Sequence, residues 1–211
     1  MSYWTHVNCN FRIANSHTIS NDEIYKVFEK RCLPTGSEGP LLVNTFIENE
    51  HTNVAVFGDL RDYYDFDEVG EWFNECCKEF DIKQAYCQVN DDNGVGKNFE
   101  CTNLVDIEGI GVNASFRFDY DIDEEDIVSK EYSFLNDVKV NVENIQNERV
   151  VPSTVVNVVG DLDIDPYIDI EIHKWFNGII KQFRVRQAFC QVNLDNKISK
   201  IYVDRIRFNE Y

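Results

Sequence analysis

The stretch EVGEWFNECCKEFDIKQAYCQVN, Glu68–Asn90, decides the fold because the chain contains it twice. It returns at Glu171–Asn193 as EIHKWFNGIIKQFRVRQAFCQVN, with 12 of 23 residues identical at a constant offset of 103. A repeat at that distance indicates a fold unit of roughly half the chain, which is an ordinary size for a domain. We therefore expect two α+β repeats, residues 1–104 and a more diverged copy at residues 105–211.

Each copy contains an amphipathic helix followed by a strand. The helical stripe of the first copy lies at the spacing of one helix face and consists of Val69, Trp72, Phe73, Cys76, Cys77 and Phe80. In the second copy isoleucines replace both cysteines, which indicates that these cysteines fill the core and are not reactive thiols. The strand that follows alternates Ala, Cys and Val with polar residues, so Cys87 and Cys190 are assigned to the core as well.

Further strands and a second helix surround the repeated segment. Val7–Ile13 alternates apolar with polar residues, which predicts a half-buried strand, and Val112–Phe118 matches it at four of seven positions. Ser20–Glu23 has the composition of a capping box at a helix start. The order strand, helix, strand, strand, helix, strand, with one further hairpin strand, predicts an α+β fold. We expect a tandem duplication of a ferredoxin-like βαββαβ module, with the helices on one face of antiparallel sheets.

Composition limits the classes of protein to which the chain can belong. Hydrophobic residues make up 43% of it, with 15 Phe, 10 Tyr and 3 Trp, so the chain has enough large side chains to fold unaided. Its apolar runs are far shorter than the roughly 20 residues of a membrane helix, and its N-terminus has no signal-peptide pattern, so we expect a cytoplasmic protein. Seven cysteines, an odd number, predict no disulfide framework.

The net charge of −18 comes from 38 acidic and 20 basic residues. Such a balance argues against direct binding of nucleic acid, which requires a basic surface. A large negative field attracts basic protein surfaces and speeds encounter with them. The negative charge therefore has two interpretations: a preference for a basic partner, or a contribution to solubility alone.

The tripeptide Gly-Asp-Leu follows a predicted strand in both copies and opens a loop rich in carboxylates. The loop candidates are Asp59, Arg61 and Asp62 in the first copy and Asp161, Asp163 and Asp165 in the second. These side chains can hold a cation or a basic side chain, but the spacing fails the calcium-loop pattern, because Pro166 and Ile172 stand where Gly and Glu are required. The alternative is a tight exit from the strand with Asp capping the turn or helix. No metal is expected.

A second candidate loop contains Gly36, Ser37 and Glu38 and lies between two prolines. Its backbone amides can cradle an anion, but no Lys follows, so a flexible connection that contacts a partner is the favoured interpretation. The four histidines lack the spacing of zinc ligands, and no nucleophile elbow occurs. We therefore expect no cofactor and no enzymatic activity.

The densest group of charges lies between residues 119 and 126, where six of eight residues are acidic. Its members are Asp119, Asp121, Asp123, Glu124, Glu125 and Asp126. Such carboxylates can occupy a groove that binds phosphates, whereas the alternative is a solvated helix start. Residues 105–170 carry 16 acidic and 4 basic residues, but residues 171–211 carry 4 and 8. That division favours an oriented partner, or contact with an acidic face of another copy in a homo-oligomer.

Three segments of the first copy resemble a group of small uncharacterised phage and prophage proteins. They are Ser2–Asn8 (SYWTHVN), Thr35–Gly39 (TGSEG) and Phe57–Tyr63 (FGDLRDY). The resemblance implies an origin in a mobile element, where small acidic proteins often act against host defence. It carries no catalytic residue over to this chain.

These observations lead to a hypothesis with two alternatives. We expect a phage-derived acidic inhibitor or anti-defence protein that binds a host protein with a basic surface, for example a nucleic-acid-handling defence enzyme, in the host cytoplasm. The first alternative is a sponge that sequesters a nucleotide-type immune signal between the modules, with Arg61, the Gly36 loop and stacked tyrosines as contacts. The second is a structural or assembly protein.

Overall fold

A computed structural model describes residues 3–14, 20–31, 33–48, 51–101, 109–128, 131–145, 153–163, 165, 167–194 and 198–205. The chain divides into two compact units, the first with the described residues up to Cys101 and the second with those from Gly109 onward. Within this described part, no helix is long and apolar enough to cross a membrane.

The first unit contains a five-stranded antiparallel sheet in the order β4-β5-β1-β6-β7 and a separate two-stranded hairpin, β2-β3. Its elements are β1 (Trp4–Ala14), α1 (Asn21–Lys30), β2 (Thr35–Gly36), β3 (Gly39–Pro40), β4 (Leu42–Glu48), β5 (His51–Arg61), α2 (Phe66–Glu79), β6 (Ile82–Asp91) and β7 (Gly96–Cys101). The central strand is thus the first strand of the unit.

The second unit contains a five-stranded antiparallel sheet in the order β12-β11-β8-β10-β9. Its elements are β8 (Ile110–Phe118), α3 (Glu124–Ile127), a 3-10 turn (Ser133–Asn136), β9 (Lys139–Ile145), β10 (Ser153–Leu162), α4 (Ile168–Gln182), β11 (Val185–Leu194) and β12 (Ile198–Arg205). Leaving the short hairpin aside, each strand holds the same place in its sheet as its counterpart in the first unit. The predicted α+β class with antiparallel sheets is confirmed.

Side-chain caps begin both helices of the first unit, and the sequence predicts the one at α1. At the start of α1, Glu23 N–H donates to Ser20 Oγ at 3.3 Å and Ser20 N–H donates to Glu23 Oε2 at 2.9 Å, which is the predicted capping box. At the start of α2, Asp65 Oδ1 accepts from the N–H groups of Asp67 and Glu68 at 3.0 and 3.1 Å. Both contacts pair amides that the first helical turn leaves free.

The apolar core of the first unit is built around Phe11 of β1. Its ring lies 4.9 Å from the ring of Phe28 in α1, and 5.9 and 5.0 Å from those of Trp72 and Phe73 in α2. Cys76 lies in the same cluster, fully buried, and burial raises its pKa to about 12. Cys76 and its neighbour in the stripe therefore fill the core, as predicted, and a thiol with so high a pKa is a poor nucleophile.

The core of the second unit repeats this arrangement around Phe116 of β8. Its ring lies 5.3 Å from those of Trp175 and Phe176 in α4. The Trp175 indole N–H donates to the carbonyl of Ile127 at 3.2 Å, which ties α4 to the short helix α3. The short helix therefore has a fixed position on its unit.

The prediction of a half-buried strand at Val7–Ile13 is wrong, because both faces of β1 are buried. Asn8, Asn10 and Arg12, on the face opposite Phe11, are each 0% exposed. Arg12 Nη2 donates to Glu48 Oε2 at 2.9 Å and Nη1 donates to Gln84 Oε1 at 3.3 Å. Side chains of neighbouring strands thus neutralise and hydrogen-bond the buried Arg12, so alternation of residue type alone does not indicate exposure.

The second unit buries the same polar positions. Asn113, Ser115 and Arg117 of β8 are at most 1% exposed, and Asn113 Nδ2 donates to Gln191 Oε1 at 3.3 Å. In both copies, therefore, the central strand contributes a buried arginine and a buried asparagine to one face.

The cysteines also differ from the expectation. Cys9 and Cys87 stand directly opposite each other on β1 and β6 and form a disulfide, whereas the sequence predicts no disulfide framework. The pairing depends on strand register, which the spacing of cysteines along the chain does not reveal. In the second unit Ala114 faces Cys190, so that bridge has no counterpart there.

Candidate functional site

The three segments that carry the phage resemblance meet at one end of the first sheet. The start of β1 pairs with the end of β5, with Trp4 opposite Arg61 and His6 opposite Asp59. The β2-β3 hairpin joins them, because Ser37 N–H donates to the carbonyl of Arg61 at 3.0 Å. We call this region the first-unit cluster and define it by Tyr3, His6, Glu38, Asp59, Arg61, Asp62, Tyr64, Asp91 and Asp92.

The loop predicted as a flexible connection is the tight β2-β3 hairpin, and Gly36 holds it against β5. A Cβ atom at Gly36 would lie 2.7 Å from the backbone nitrogen of Arg61 and 2.9 Å from the Leu60 Cα. Only glycine permits this approach of two backbones. From the sequence, we expect Gly36 to make the loop flexible. In the structure it allows the hairpin backbone to contact the backbone of β5, so the expectation of a flexible connection is wrong.

Arg61 is the cation at the centre of the cluster, and its guanidinium is already paired. Its Nη1 contacts Glu38 Oε1 and its Nε lies 3.6 Å from Asp62 Oδ2. The hydrogen bond to Glu38 raises the pKa of Arg61. The guanidinium carbon also lies 6.0 Å from the centre of the Trp4 ring. Its position is therefore fixed by two carboxylates and one aromatic ring.

His6 lies between two carboxylates from different parts of the sheet. Its Nδ1 is 2.5 Å from Asp59 Oδ1, and its Nε2 is 3.0 Å from Asp92 Oδ1. The side chains of His6 and Asp59 are only 2% and 5% exposed, whereas that of Asp92 is 47% exposed. A neutral imidazole has one N–H group, so only the doubly protonated ring donates to both carboxylates. His6 thereby links the end of β5 to the turn after β6.

Two tyrosines give the cluster an aromatic surface. The rings of Tyr3 and Tyr64 stack with centroids 4.4 Å apart, and Tyr64 is 67% exposed. Tyr3 OH donates to Asp91 Oδ2 at 3.2 Å, and burial together with that carboxylate raises the pKa of Tyr3. The backbone of Asp62, with φ of 56°, donates its N–H to the carbonyl of Tyr3 at 2.8 Å. The exposed Tyr64 ring thus packs on a Tyr3 side chain that is itself hydrogen-bonded at its hydroxyl.

The cluster as a whole is acidic, because five carboxylates lie around one guanidinium group and one histidine ring. The carboxylates belong to Glu38, Asp59, Asp62, Asp91 and Asp92, the guanidinium group to Arg61 and the ring to His6. An anionic ligand would have to displace Glu38 and Asp62 from Arg61. A cationic group would instead meet an excess of negative charge beside an exposed aromatic ring.

The predicted acidic run in the second unit divides into paired and exposed carboxylates. Asp119 Oδ1 lies 3.0 Å from Arg186 Nε. Asp126 Oδ2 accepts from the backbone N–H of Asp123 at 3.1 Å, at the start of α3, as the helix-start interpretation requires. The remaining three side chains, Asp121, Glu124 and Glu125, are exposed.

Two buried isoleucines anchor the segment that carries these three carboxylates. Ile122, between Asp121 and Glu124, and Ile127, at the end of α3, are 2% and 0% exposed and belong to the core of the unit. Tyr120 is also fixed, because its OH accepts from the backbone N–H of Arg184 at 3.0 Å. No ion pair joins Asp121, Glu124 or Glu125 to another described residue.

The three aspartates of the second Gly-Asp-Leu segment do not form one site. Asp161 lies within β10 opposite Gly111, and the exposed Asp163 follows the strand. Asp165 Oδ1 accepts from the N–H of Tyr167 at 2.8 Å, just before α4, which agrees with the capping alternative. Nowhere in the described ranges do three or more His, Cys, Asp or Glu side chains form a group that could hold a metal.

Two of the eight basic residues between positions 171 and 211 lie outside the described residues, namely Lys197 and Arg207. Lys174 and Lys181 are exposed on α4. Arg186 contacts Asp119, so one of the basic residues neutralises part of the acidic run.

Sequence comparison adds little to this geometry. No family model matches the chain, and no curated protein matches it significantly. Among solved structures, one described as a candidate glycine cleavage system transcriptional repressor aligns over 95% of this chain and 99% of its own. The sequence identity is 6% and the TM-score 0.30, values at which the alignment supports no inference about function.

His6, Tyr3, Tyr64, Asp91 and Asp92 belong to the first-unit cluster but are not among the loop candidates that the sequence suggests. Their partners lie far away in the chain, so spacing does not connect them. The sequence nevertheless contains a signal, because Tyr3 and His6 belong to the SYWTHVN segment of the resemblance, which the second copy lacks.

Proposed function

We propose that the protein is a phage-derived acidic inhibitor, without enzymatic activity, that binds a basic surface of a host protein in the cytoplasm. The class of partner it would suit is a nucleic-acid-handling defence enzyme, whose substrate groove is basic. The observation that carries the proposal is the exposure of Asp121, just before the short helix α3, and of Glu124 and Glu125 on that helix, with buried isoleucines anchoring the segment.

Two further features support a basic partner. The first-unit cluster adds a second acidic surface, with an exposed Tyr64 ring that suits contact with a guanidinium or ammonium group. The net charge of −18 would accelerate encounter with a basic protein and repel nucleic acid. Tyrosine is enriched in protein interfaces, and carboxylates beside it would complement arginine or lysine on the partner.

The test uses the protein as bait in host lysate at low and high salt. One bait carries Asp121→Lys, Glu124→Lys and Glu125→Lys; a matched bait carries the same charge change at Glu71, Glu75 and Asp81, which are exposed in the first unit.

We expect the wild type and the matched bait to retain the same basic protein at low salt and to release it at high salt. The site variant should not retain it. The proposal would be contradicted if all three baits retained the host protein equally, or if retention did not depend on salt concentration.

A nucleotide sponge is the second candidate, favoured by the stacked Tyr3 and Tyr64 rings, because an exposed aromatic ring can stack on a base. The pairing of Arg61 with Glu38 and Asp62 weighs against it. A sponge predicts a thermal shift with cyclic or ADP-ribose-type nucleotides that Tyr64→Ala abolishes. A flat response to that panel would remove it. A purely structural role predicts large assemblies, which light scattering would detect.

We further propose that the two units arose by duplication of one ferredoxin-like module with both helices on one face of its sheet. The equal strand orders of the two sheets support this origin. The contacts of Phe11 with Phe28 of α1 and Trp72 of α2 support the placement of the helices. An experimental structure in which α1 and α2 covered opposite faces would contradict it.

A further inference from the structure

Cysteines are concentrated in the apolar core of the first unit. Cys9 and Cys87 form a disulfide there, and three further cysteines of the described residues lie in the same core. Cys76 and Cys77 are buried in it, and Cys101 packs against it from the end of β7. The core therefore contains three thiols besides the disulfide.

The packing of α2 against β7 brings two of these thiols into contact. A Cβ atom at Gly70 would overlap the ring of Phe99, and the rings of Phe73 and Phe99 lie 6.4 Å apart. One turn beyond Phe73 on α2, and two residues beyond Phe99 on β7, the side chains of Cys77 and Cys101 form a hydrogen bond. Both contacts lie on the same helix face and the same strand face, so the thiol pair is positioned by regular secondary structure.

The second unit lacks both members of the pair. Ile180 stands at the position of Cys77 in the repeat. Asp204 stands at the position of Cys101, because each of these two residues faces the repeated alanine of the preceding strand. The same fold thus forms in the second unit with neither thiol, so the fold itself does not require the pair.

We propose that Cys77 and Cys101 are a redox modification site, at which a peroxide converts the two thiols into a disulfide that joins the edge strand β7 to α2. Cys101 reacts first because it is the more accessible of the two. It is partly exposed at the end of an edge strand, whereas Cys77 is only 4% exposed. This inference is independent of the acidic-surface function.

The reaction has two steps. In the first, the Cys101 thiolate attacks one oxygen of hydrogen peroxide, the O–O bond breaks, hydroxide leaves, and the sulfur is oxidised to a sulfenic acid. In the second, the Cys77 sulfur attacks the Cys101 sulfur, the S–O bond breaks, and the leaving hydroxide takes the Cys77 proton to form water. Two thiols and one peroxide thus give one disulfide and two molecules of water.

The environment of Cys77 suits it to the second step and not to the first. The hydrogen bond to Cys101, burial and the negative charge of the Cys101 thiolate together raise the pKa of Cys77. Cys77 therefore keeps its proton and remains an unreactive core residue while Cys101 is reduced. Oxidation of Cys101 removes that negative charge, so one cause of the raised pKa is gone when the second step begins.

The first test maps disulfides in the wild-type chain before and after treatment with hydrogen peroxide under native conditions. Remaining thiols are alkylated, and tryptic peptides are analysed by mass spectrometry. Cleavage after Lys78 and Lys97 separates the peptide with Cys76 and Cys77 from the peptide with Cys101. We expect these two peptides to be linked only after oxidation, and to separate again when dithiothreitol reduces the protein.

The second test compares two matched variants of α2. Cys76→Ala removes the neighbouring buried thiol and should leave the cross-link intact. Cys77→Ala should abolish the cross-link and leave Cys101 as a sulfenic acid, which dimedone labels. Oxidation should raise the melting temperature of the wild type and of Cys76→Ala by about 5 °C or more, because the bridge constrains the unfolded chain. It should not raise that of Cys77→Ala.

Three results would overturn the proposal. Absence of the linked peptides after oxidation would exclude it, whether or not dimedone labels Cys101. A link between Cys101 and Cys87 would show exchange with the existing disulfide, and a link that survives in Cys77→Ala would assign the bond to Cys76. If Cys77→Ala fails to fold, the peptide map of Cys76→Ala decides the matter, because Cys77 is then the one cysteine in its peptide.

Discussion

His6 and Asp59 face each other across β1 and β5, with Nδ1 and Oδ1 2.5 Å apart and both side chains at most 5% exposed. The other ring nitrogen faces Asp92. Since the three groups come from the start of β1, the end of β5 and the turn after β6, this contact fixes the end of the sheet that carries Arg61 and Tyr64.

Replacing His6 tests the structural importance of this contact. His6→Leu leaves the buried Asp59 carboxylate without its imidazole partner and should lower the free energy of unfolding by about 3 kcal/mol. Adding Asp59→Asn should recover most of that loss, because the double variant contains no buried charge at this position. Urea denaturation of the four proteins of the cycle measures both effects. A single-variant loss below about 1 kcal/mol, the value of an exposed ion pair, would contradict the assignment.

Substitution of two glycines by alanine should have opposite effects on stability. Gly36→Ala places a methyl group within 2.7 Å of the backbone of Arg61, so it should displace the β2-β3 hairpin and destabilise the fold by about 1–3 kcal/mol. Gly178→Ala lies inside α4, where the added methyl meets only Tyr132 OH at 3.6 Å. It should be neutral or stabilise by about 0.5–1 kcal/mol, because Ala favours a helix interior. Thermal unfolding compares the two; equal effects would show that Gly36 makes no close contact.

The capping box of α1 predicts a dependence on pH. Hydrogen bonds from the backbone and side chain of Ser20 lower the pKa of Glu23 from 4.5. A lowered pKa in the folded state means that the contribution to stability is present above pH 4.5 and is lost as pH falls through the folded-state value.

Ser20→Ala removes the hydroxyl and should lower the melting temperature at neutral pH by a few degrees. The gap between variant and wild type should shrink as the solution is acidified below the Glu23 pKa. Melting curves at several pH values measure this gap, and Ser20→Thr, which keeps a hydroxyl at the cap, is the conservative control. A gap that widens in acid would contradict the capping role of Glu23.

How much of the fold follows from sequence is clearest in α2. The spacing of Val69, Trp72 and Phe73 predicts the helix and its buried face, and both are found. Local periodicity depends on neighbours a few residues apart, so it can be read directly. The capping box at Ser20 is equally local, and its residue types alone identify it.

Features that depend on distant contacts do not follow from local pattern. The alternation in β1 gives no sign that Arg12 is buried, because its partners Gln84 and Glu48 come from other strands. The disulfide of Cys9 with Cys87 likewise depends on register. One signal does point to the buried polar face: Gln84, Gln88 and Asn90 are identical in both copies, and polar residues kept between diverged copies indicate buried positions.

The candidate sites show the same division. Composition identifies the acidic run, but it does not separate Asp119, which pairs with Arg186, from Asp121, which remains exposed. The sequence also marks the loop at Gly36 but not its docking onto Arg61, because a contact between two backbones leaves no pattern other than glycine itself.

The measurement that bears most directly on the acidic-surface proposal is the affinity for the purified basic host protein as a function of salt. The variant with Lys at Asp121, Glu124 and Glu125 is compared with the one carrying Lys at Glu71, Glu75 and Asp81. Each substitution of an acidic residue by Lys raises the net charge by two. Both triple variants therefore have a net charge of −12 in place of −18.

We expect wild-type affinity to fall steeply with salt, the first variant to bind about 100-fold more weakly or worse, and the second to lose about tenfold or less. Equal affinities for the two variants, or an affinity that salt does not change, would contradict binding through Asp121, Glu124 and Glu125.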